Sequence, residues 1–308
     1  MSDVTAIQNQ PEDANATASS ERPSWLVYVE ERIEEEEDEI DSESPYYDIV
    51  RHLLLSSDDD DIAVPKAIQR FYDEYVDGFS GEDFGRRQPP EYGAGDSLNS
   101  MSVIVFELME ELPFTDPKQD RLAKFLIGLA KNAAPEFDKE ASNQSSCWAI
   151  QAAAAERWNA CHDRDGPGPR QVINTWLGTT ALLAKLFRAD LLEKYGPLWA
   201  SADFERAFET HTSGDVTKHP IRQAQILGTA NYVLIAGEAF AEAAKAPQEK
   251  NQELDAAKWK LWASKLQEVA DAVGEDAEWN LKHKAQEAHD KMVELYPEAF
   301  EQKEEETC

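Results

Sequence analysis

The sequence predicts an all-α protein, a multi-helical single body built from antiparallel helix pairs, with a disordered acidic N-terminus. A solenoid-like stack is one form such a body could take. Three observations carry the prediction. Apolar residues recur at three- and four-residue spacing over most of the chain, the helical period. Proline and glycine fall mainly between those runs. No stretch alternates apolar and polar residues as a strand does, and neither a dinucleotide nor a P-loop glycine pattern occurs. At 308 residues and 42% hydrophobic, the chain has enough apolar side chain for a sizeable core.

The elements follow in order. Residues 1–22 are rich in Asn, Gln, Ser, Thr, Ala and acid, which predicts disorder. Pro23-Ser24 reads as the cap of a helix carrying Trp25, Tyr28, Val29 and Ile33 on one face. Pro45 opens a second helix with Ile49, Val50, Leu53 and Leu54, and Pro65 a third with Ile68, Phe71, Tyr72 and Tyr75. Residues 77–96, with five glycines and two prolines, predict the longest loop.

From Ser97 the pattern is helical again. Met101, Ile104, Val105, Leu108, Met109 and Leu112 repeat at three and four until Pro113 and Pro117 break the run. Leu122, Phe125, Leu126 and Leu129 mark the next helix, and another spans about 142–161 before Gly166-Pro167-Gly168-Pro169. A helix over about 170–193 follows, and Gly196-Pro197 is expected to separate it from a shorter one around Phe204 and Phe208. Three long helices close the chain. The first, near 220–246, shows Leu227, Ala230, Leu234, Gly237 and Ala241 on one stripe, small enough to predict close approach to a neighbour. The second runs from Trp259 to Val273 with Gly274 as its expected end, and the third from Leu281 to Leu295 before Pro297. Joined by a short turn, these two read as an antiparallel hairpin. The predicted organisation is a disordered tail at 1–23, an acidic helical segment at 24–61, a helical domain at 62–297 and a disordered acidic tail at 298–308.

Charge sets further bounds. The chain holds 61 acidic and 30 basic residues, a net of −31. Residues 1–61 carry 19 acidic and 3 basic residues, about half of that excess. Such a chain lacks the basic face that nucleic acid or an anionic membrane requires. No run approaches the ~20 apolar residues of a membrane span. Three dispersed cysteines, Cys147, Cys161 and Cys308, make no disulfide framework. No secretory signal is legible at the N-terminus, so a cytoplasmic or nuclear location is expected.

Several groups carry side chains capable of chemistry. His162-Asp163-Arg164-Asp165 offers donor atoms, but contiguous residues cannot all face one ion. His283 and His289 are six apart, which splits them between helix faces, whereas a zinc pair needs four. His211 and His219 flank Thr212, Ser213, Gly214, Asp215 and Thr217 without a nucleophile-elbow pattern. No metal site, cofactor or catalytic residue is therefore assigned. Among eight tryptophans, Trp148, Trp158 and Trp176 are the candidates to line an apolar pocket between helices. The acidic runs Glu34, Glu35, Glu36, Glu37 and Asp58, Asp59, Asp60, Asp61 form a candidate docking segment for a protein partner, a basic one by charge.

Four stretches carry a resemblance. Leu112-Pro113-Phe114-Thr115-Asp116-Pro117 leads through Gln119-Asp120-Arg121-Leu122 into its helix, and Trp176 into the Ala- and Leu-rich helix ending at Phe187. Ala230 to Phe240 contains Ala236-Gly237-Glu238, and Trp259-Lys260-Leu261-Trp262 pairs with Ala285, Ala288 and Met292. Over about 98–296 the chain resembles a family of uncharacterised, mainly helical fungal proteins, a domain of unknown function. The resemblance implies an intracellular helical body with a variable acidic front, and no activity or site residue. The preferred reading is a non-enzymatic interaction or scaffold module. The alternative is an enzyme or small-molecule binder with a tryptophan-lined pocket.

Overall fold

A computed structural model of the chain describes residues 22–36, 39, 42–80, 95–131, 146–162, 170–192, 195–246 and 254–301, and every regular element among them is a helix. Expectations on residues 1–21, 81–94, 163–169 and 302–308 lie outside the described residues.

The first helix, α1 (Ser24–Glu35), buries Trp25 and Val29, four apart and so on one face. Ser24 does not cap it; the hydroxyl donates instead to the Glu111 carbonyl at 3.0 Å. Next comes α2 (Ser44–Leu55), where Pro45 sits in the first turn at no hydrogen-bonding cost. The third helix, α3 (Ala63–Ser80), runs past position 77, where a loop was expected to begin. The body continues with α4 (Gly95–Glu107), α5 (Pro117–Lys131), α6 (Ser146–His162) and α7 (Arg170–Arg188).

The end of α7 has no glycine. Asp190 takes the left-handed conformation, φ 64°, and Leu191 N–H bonds the Leu186 carbonyl at 3.1 Å while Asp190 N–H bonds that of Phe187 at 2.9 Å. This double closure satisfies carbonyls the helix leaves open. Gly196 and Pro197 do not separate elements. They form the first turn of α8 (Tyr195–Glu205), and a Cβ on Gly196 would stand 2.4 Å from Phe187 Cδ2. A π-helical turn, Arg206–Thr210, extends α8.

Three helices complete the fold: α9 (Pro220–Lys245), α10 (Ala256–Ala272) and α11 (Leu281–Leu295). Asp255 caps α10 by accepting Lys258 N–H at 2.9 Å. The helix ends on Val273 in extended conformation, with Gly274 directly after it. Trp279 and Asn280, both left-handed, turn the chain into α11. Trp259 Nε1 then donates to the Met292 carbonyl at 2.9 Å, His289 Nδ1 lies 2.9 Å from the Ala263 carbonyl, and Gln267 pairs with Gln286. Those crossings are antiparallel, as expected for the hairpin.

At the centre lies α9, against α7, α8, α10 and α11, with 16 of its 26 residues buried. Its Phe240 packs against Phe204 of α8 and Trp259 and Trp262 of α10, with Phe204 and Trp262 centroids 4.8 Å apart. The core is continuous from Trp25 to Met292. Gly237 admits α11: a Cβ there would sit 2.9 Å from both Leu295 Cδ1 and Lys291 Cε. Gly237→Val should therefore destabilise the protein by about 1–3 kcal/mol through overpacking. Thermal unfolding followed by circular dichroism would show a lowered Tm, and an unchanged Tm would contradict this close approach.

Candidate functional site

The acidic runs occupy two helix ends. Glu34 and Glu35 are exposed at the C-terminus of α1, where negative charge opposes the helix dipole. Arg32 partly offsets them, donating to Glu35 Oε2 at 3.1 Å. Glu36 is half-buried and its carboxylate accepts the Glu43 N–H. Glu37 lies outside the described residues. What holds α1 in place is apolar burial together with Glu107 on α4, whose Oε2 accepts Tyr28 Oη at 2.8 Å and Tyr47 Oη at 3.2 Å.

The second run follows α2. Arg121, from α5, donates to the carbonyls of Leu53 (3.0 Å), Ser56 (2.7 Å) and Ser57 (3.0 Å) and to Asp58 Oδ1 (2.9 Å). One guanidinium thus closes the C-terminus of α2 and fixes the following loop. Asp60 Oδ1 accepts Ile62 N–H at 3.1 Å, ahead of α3. Asp59 and Asp61 are exposed, and so are Leu55 and Ile62 at the two ends of the loop, 57% and 55%.

The three candidate tryptophans lie in different surroundings. Trp148 on α6 is 43% exposed, whereas Trp158, also on α6, and Trp176 on α7 are half-buried. Trp158 stacks on Trp199 with centroids 6.0 Å apart and planes at 21°, and Trp199 stacks in turn on Tyr195. The Arg206 guanidinium lies 5.9 Å from the Trp158 ring centroid, a cation–π contact.

Beneath this ladder is Asp203, 2% exposed. Its Oδ2 accepts Tyr232 Oη from α9 at 3.1 Å and Trp158 Nε1 at 3.4 Å. Nearby, Cys161 Sγ donates to Thr179 Oγ1 at 3.8 Å. Full burial raises the Tyr232 pKa well above its ordinary value, reinforced by the Asp203 charge, so the phenol remains a donor. The cluster ties α6, α8 and α9 together around one carboxylate. Asp203 and Tyr232 escaped sequence reasoning. An acid inside the apolar run Trp199 to Phe204 was the available signal, because buried acids need partners.

An open groove of about 390 Å³ lies between α9 and α11, lined by Glu238, Glu287, Asp290, Glu294, Lys291 and Leu295 among others. His283 lines it too, while His289 is turned to the α10 backbone. Among the described residues, no three His, Cys, Asp or Glu side chains gather to hold a metal ion. Of the His162–Asp165 run, residues 163–165 lie outside the described residues. No helix among the described residues is long and apolar enough to cross a membrane.

A family model described as a protein of unknown function (DUF3632) matches residues 103–266, from α4 through most of α10. No curated protein and no solved structure matches the chain. The matched span contains Trp148, Trp158, Trp176, Asp203 and Tyr232 and leaves both acidic runs outside it.

Burial also raises the pKa of Tyr28, Tyr46 and Tyr47. A raised phenol pKa contributes stability that is complete below the unfolded value of 10.0 and is lost as pH rises above it. In an alkaline titration, these three and Tyr232 should stay silent in tyrosinate absorbance past pH 10.0 and ionise together with helix loss. Simple titration of every tyrosine near 10 in the folded chain would contradict their burial. Tyr232→Phe, which leaves Asp203 short of a donor, should cost about 1–3 kcal/mol.

Proposed function

The chain belongs to this family of proteins of unknown function, and we propose that it acts as a non-enzymatic helical interaction module whose acidic front docks a basic protein partner. One observation carries the reading: Arg121 fastens the stretch that leads into the acidic run, through the carbonyls of Leu53, Ser56 and Ser57 and the first acid of the run, Asp58, to the body. A docking strip fixed before binding loses little conformational entropy on association. Asp58 is matched by Arg121, whereas Asp59 and Asp61 are exposed to a partner. Leu55 and Ile62 beside them suit a segment that is both basic and apolar, such as an amphipathic helix. The reading goes with a cytoplasmic or nuclear location, and with Glu34 and Glu35 as a second acidic patch.

The rival, a small-molecule binder or enzyme, draws on the buried Asp203 with Trp158 and Tyr232 around it. Those groups are packed against one another and satisfied by mutual hydrogen bonds, which favours a structural role. The two readings part experimentally. Titration with a synthetic amphipathic Lys/Leu peptide should show binding that weakens with salt. Asp59→Asn combined with Asp61→Asn should reduce affinity about fivefold, roughly 1 kcal/mol, while Tm stays unchanged. Equal affinity for both proteins would remove the docking strip.

A further inference from the structure

Ser57 stands where α2 gives way to the second acidic run. Asp58, Asp59, Asp60 and Asp61 follow it directly, and no other serine or threonine of the chain immediately precedes such a run. The chain leaves the helix through Ser56 in extended conformation, φ −61° and ψ 148°. From Leu55 to Ile62 no residue is buried, whereas Leu54 and Ala63 on either side are. Another protein can therefore draw this stretch into a cleft without unpacking the core.

The two serine hydroxyls differ. Ser56 is half-buried, and its Oγ donates to the His52 carbonyl at 2.8 Å. Ser57 is exposed, and its Oγ makes no hydrogen bond among the described residues. Its backbone is what the body holds: the Ser57 carbonyl accepts Arg121 Nη2 at 3.0 Å and Asp60 N–H at 3.1 Å. A free hydroxyl thus sits on a positioned main chain.

The charge around that hydroxyl selects what can approach it. The side chain of Asp58 is 67% exposed even while paired with Arg121, and Asp59 and Asp61 are exposed beyond it. A cleft lined by acids is repelled by this strip, and a basic one is attracted.

We propose that Ser57 is a phosphorylation site for a serine/threonine kinase with a basic substrate cleft, and that the phosphate strengthens the docking strip. In the transfer, Ser57 Oγ attacks the γ-phosphorus of magnesium-bound ATP. The new O–P bond forms as the bond from that phosphorus to the bridging oxygen of ADP breaks, and the hydroxyl proton passes to the catalytic aspartate of the kinase. The product adds a charge of about −1.5 to −2 at pH 7. The dipole of α2 disfavours that charge at its C-terminal end, and Arg121, bonded to the carbonyl of Ser57 itself, offsets it. The site follows from Ser57 and its surroundings, while its effect on binding rests on the docking reading.

The experiment treats the full chain with a purified acid-directed serine/threonine kinase and magnesium–ATP and locates the phosphate by tandem mass spectrometry. Both forms are then titrated with the amphipathic Lys/Leu peptide. Phosphate is expected on Ser57, and the segment should stay unmodified in Ser57→Ala. Asp58→Asn combined with Asp60→Asn removes charge but keeps the oxygens that accept from Arg121 and from Ile62 N–H. That variant should slow transfer to Ser57 about tenfold. The phosphorylated chain should bind the peptide about fivefold more tightly than the unmodified one. Phosphate on Ser56 instead, no transfer to the segment, or an undiminished rate in the double variant would overturn the site. Equal peptide affinity of the two forms would overturn the regulation. Peptide binding by neither form would remove the docking reading and the regulation with it, while a phosphorylated Ser57 would stand.

Discussion

The rest of the structure depends on α9 being buried along most of its length. A helix covered on nearly every side cannot rely on one apolar stripe, so its buried polar residues draw on partners inside the protein, Asn231 excepted, whose Nδ2 has none among the described residues. Thr229 bonds back to the Ile226 carbonyl at 2.7 Å. Tyr232 reaches Asp203, and Gln223 bridges the Val216 carbonyl and the Glu278 N–H. Each of these bonds fixes a neighbouring element. Asp203 sets the register of α8, and Gln223 ties the 211–219 loop to the turn before α11. Close packing here also favours a small residue at Gly237, where a Cβ would press on the ends of the Leu295 and Lys291 side chains of α11.

The π-helical turn after α8 solves a related problem. Arg206 lies over Trp158 on α6, while Glu209, three residues on, accepts Lys258 Nζ and Trp262 Nε1 from α10. A regular helix would put positions three apart on one face, but a wider turn spreads them toward two different neighbours. Burial alone would raise the Glu209 pKa. The hydrogen bonds from Lys258 and Trp262 outweigh it and hold the carboxyl below its usual value. The turn thereby links the aromatic ladder to the closing hairpin, a link that no apolar pattern could reveal.

That limit explains what the sequence made legible. Periodic apolar positions marked the helices, and the α10–α11 hairpin and the close approach at Gly237 were readable because spacing and residue size report directly on burial. The errors fall where backbone geometry is set by a distant contact. Asp190 does what a glycine usually does, because Leu191 is buried beyond it. Gly196 and Pro197 resemble a breaker, yet Phe187 packs against that turn and draws it into α8. Ser24 resembles a cap but bonds Glu111, 87 residues away. Asp203 is invisible for the same reason: a single charged residue within an apolar context acquires meaning only from the partners that folding brings.

Net charge deserves the same distinction. A total of −31 describes the far field of the molecule and argues against broad attraction to polyanions. At physiological salt, however, charges separated by more than about 8 Å are largely screened, so a site responds to its immediate neighbours. About half of the acidic excess lies in the first 61 residues, and acids of the body find local partners: Glu110 in Arg157, Glu209 in Lys258. The exclusion drawn from total charge therefore applies to extended surfaces rather than to a single recessed group.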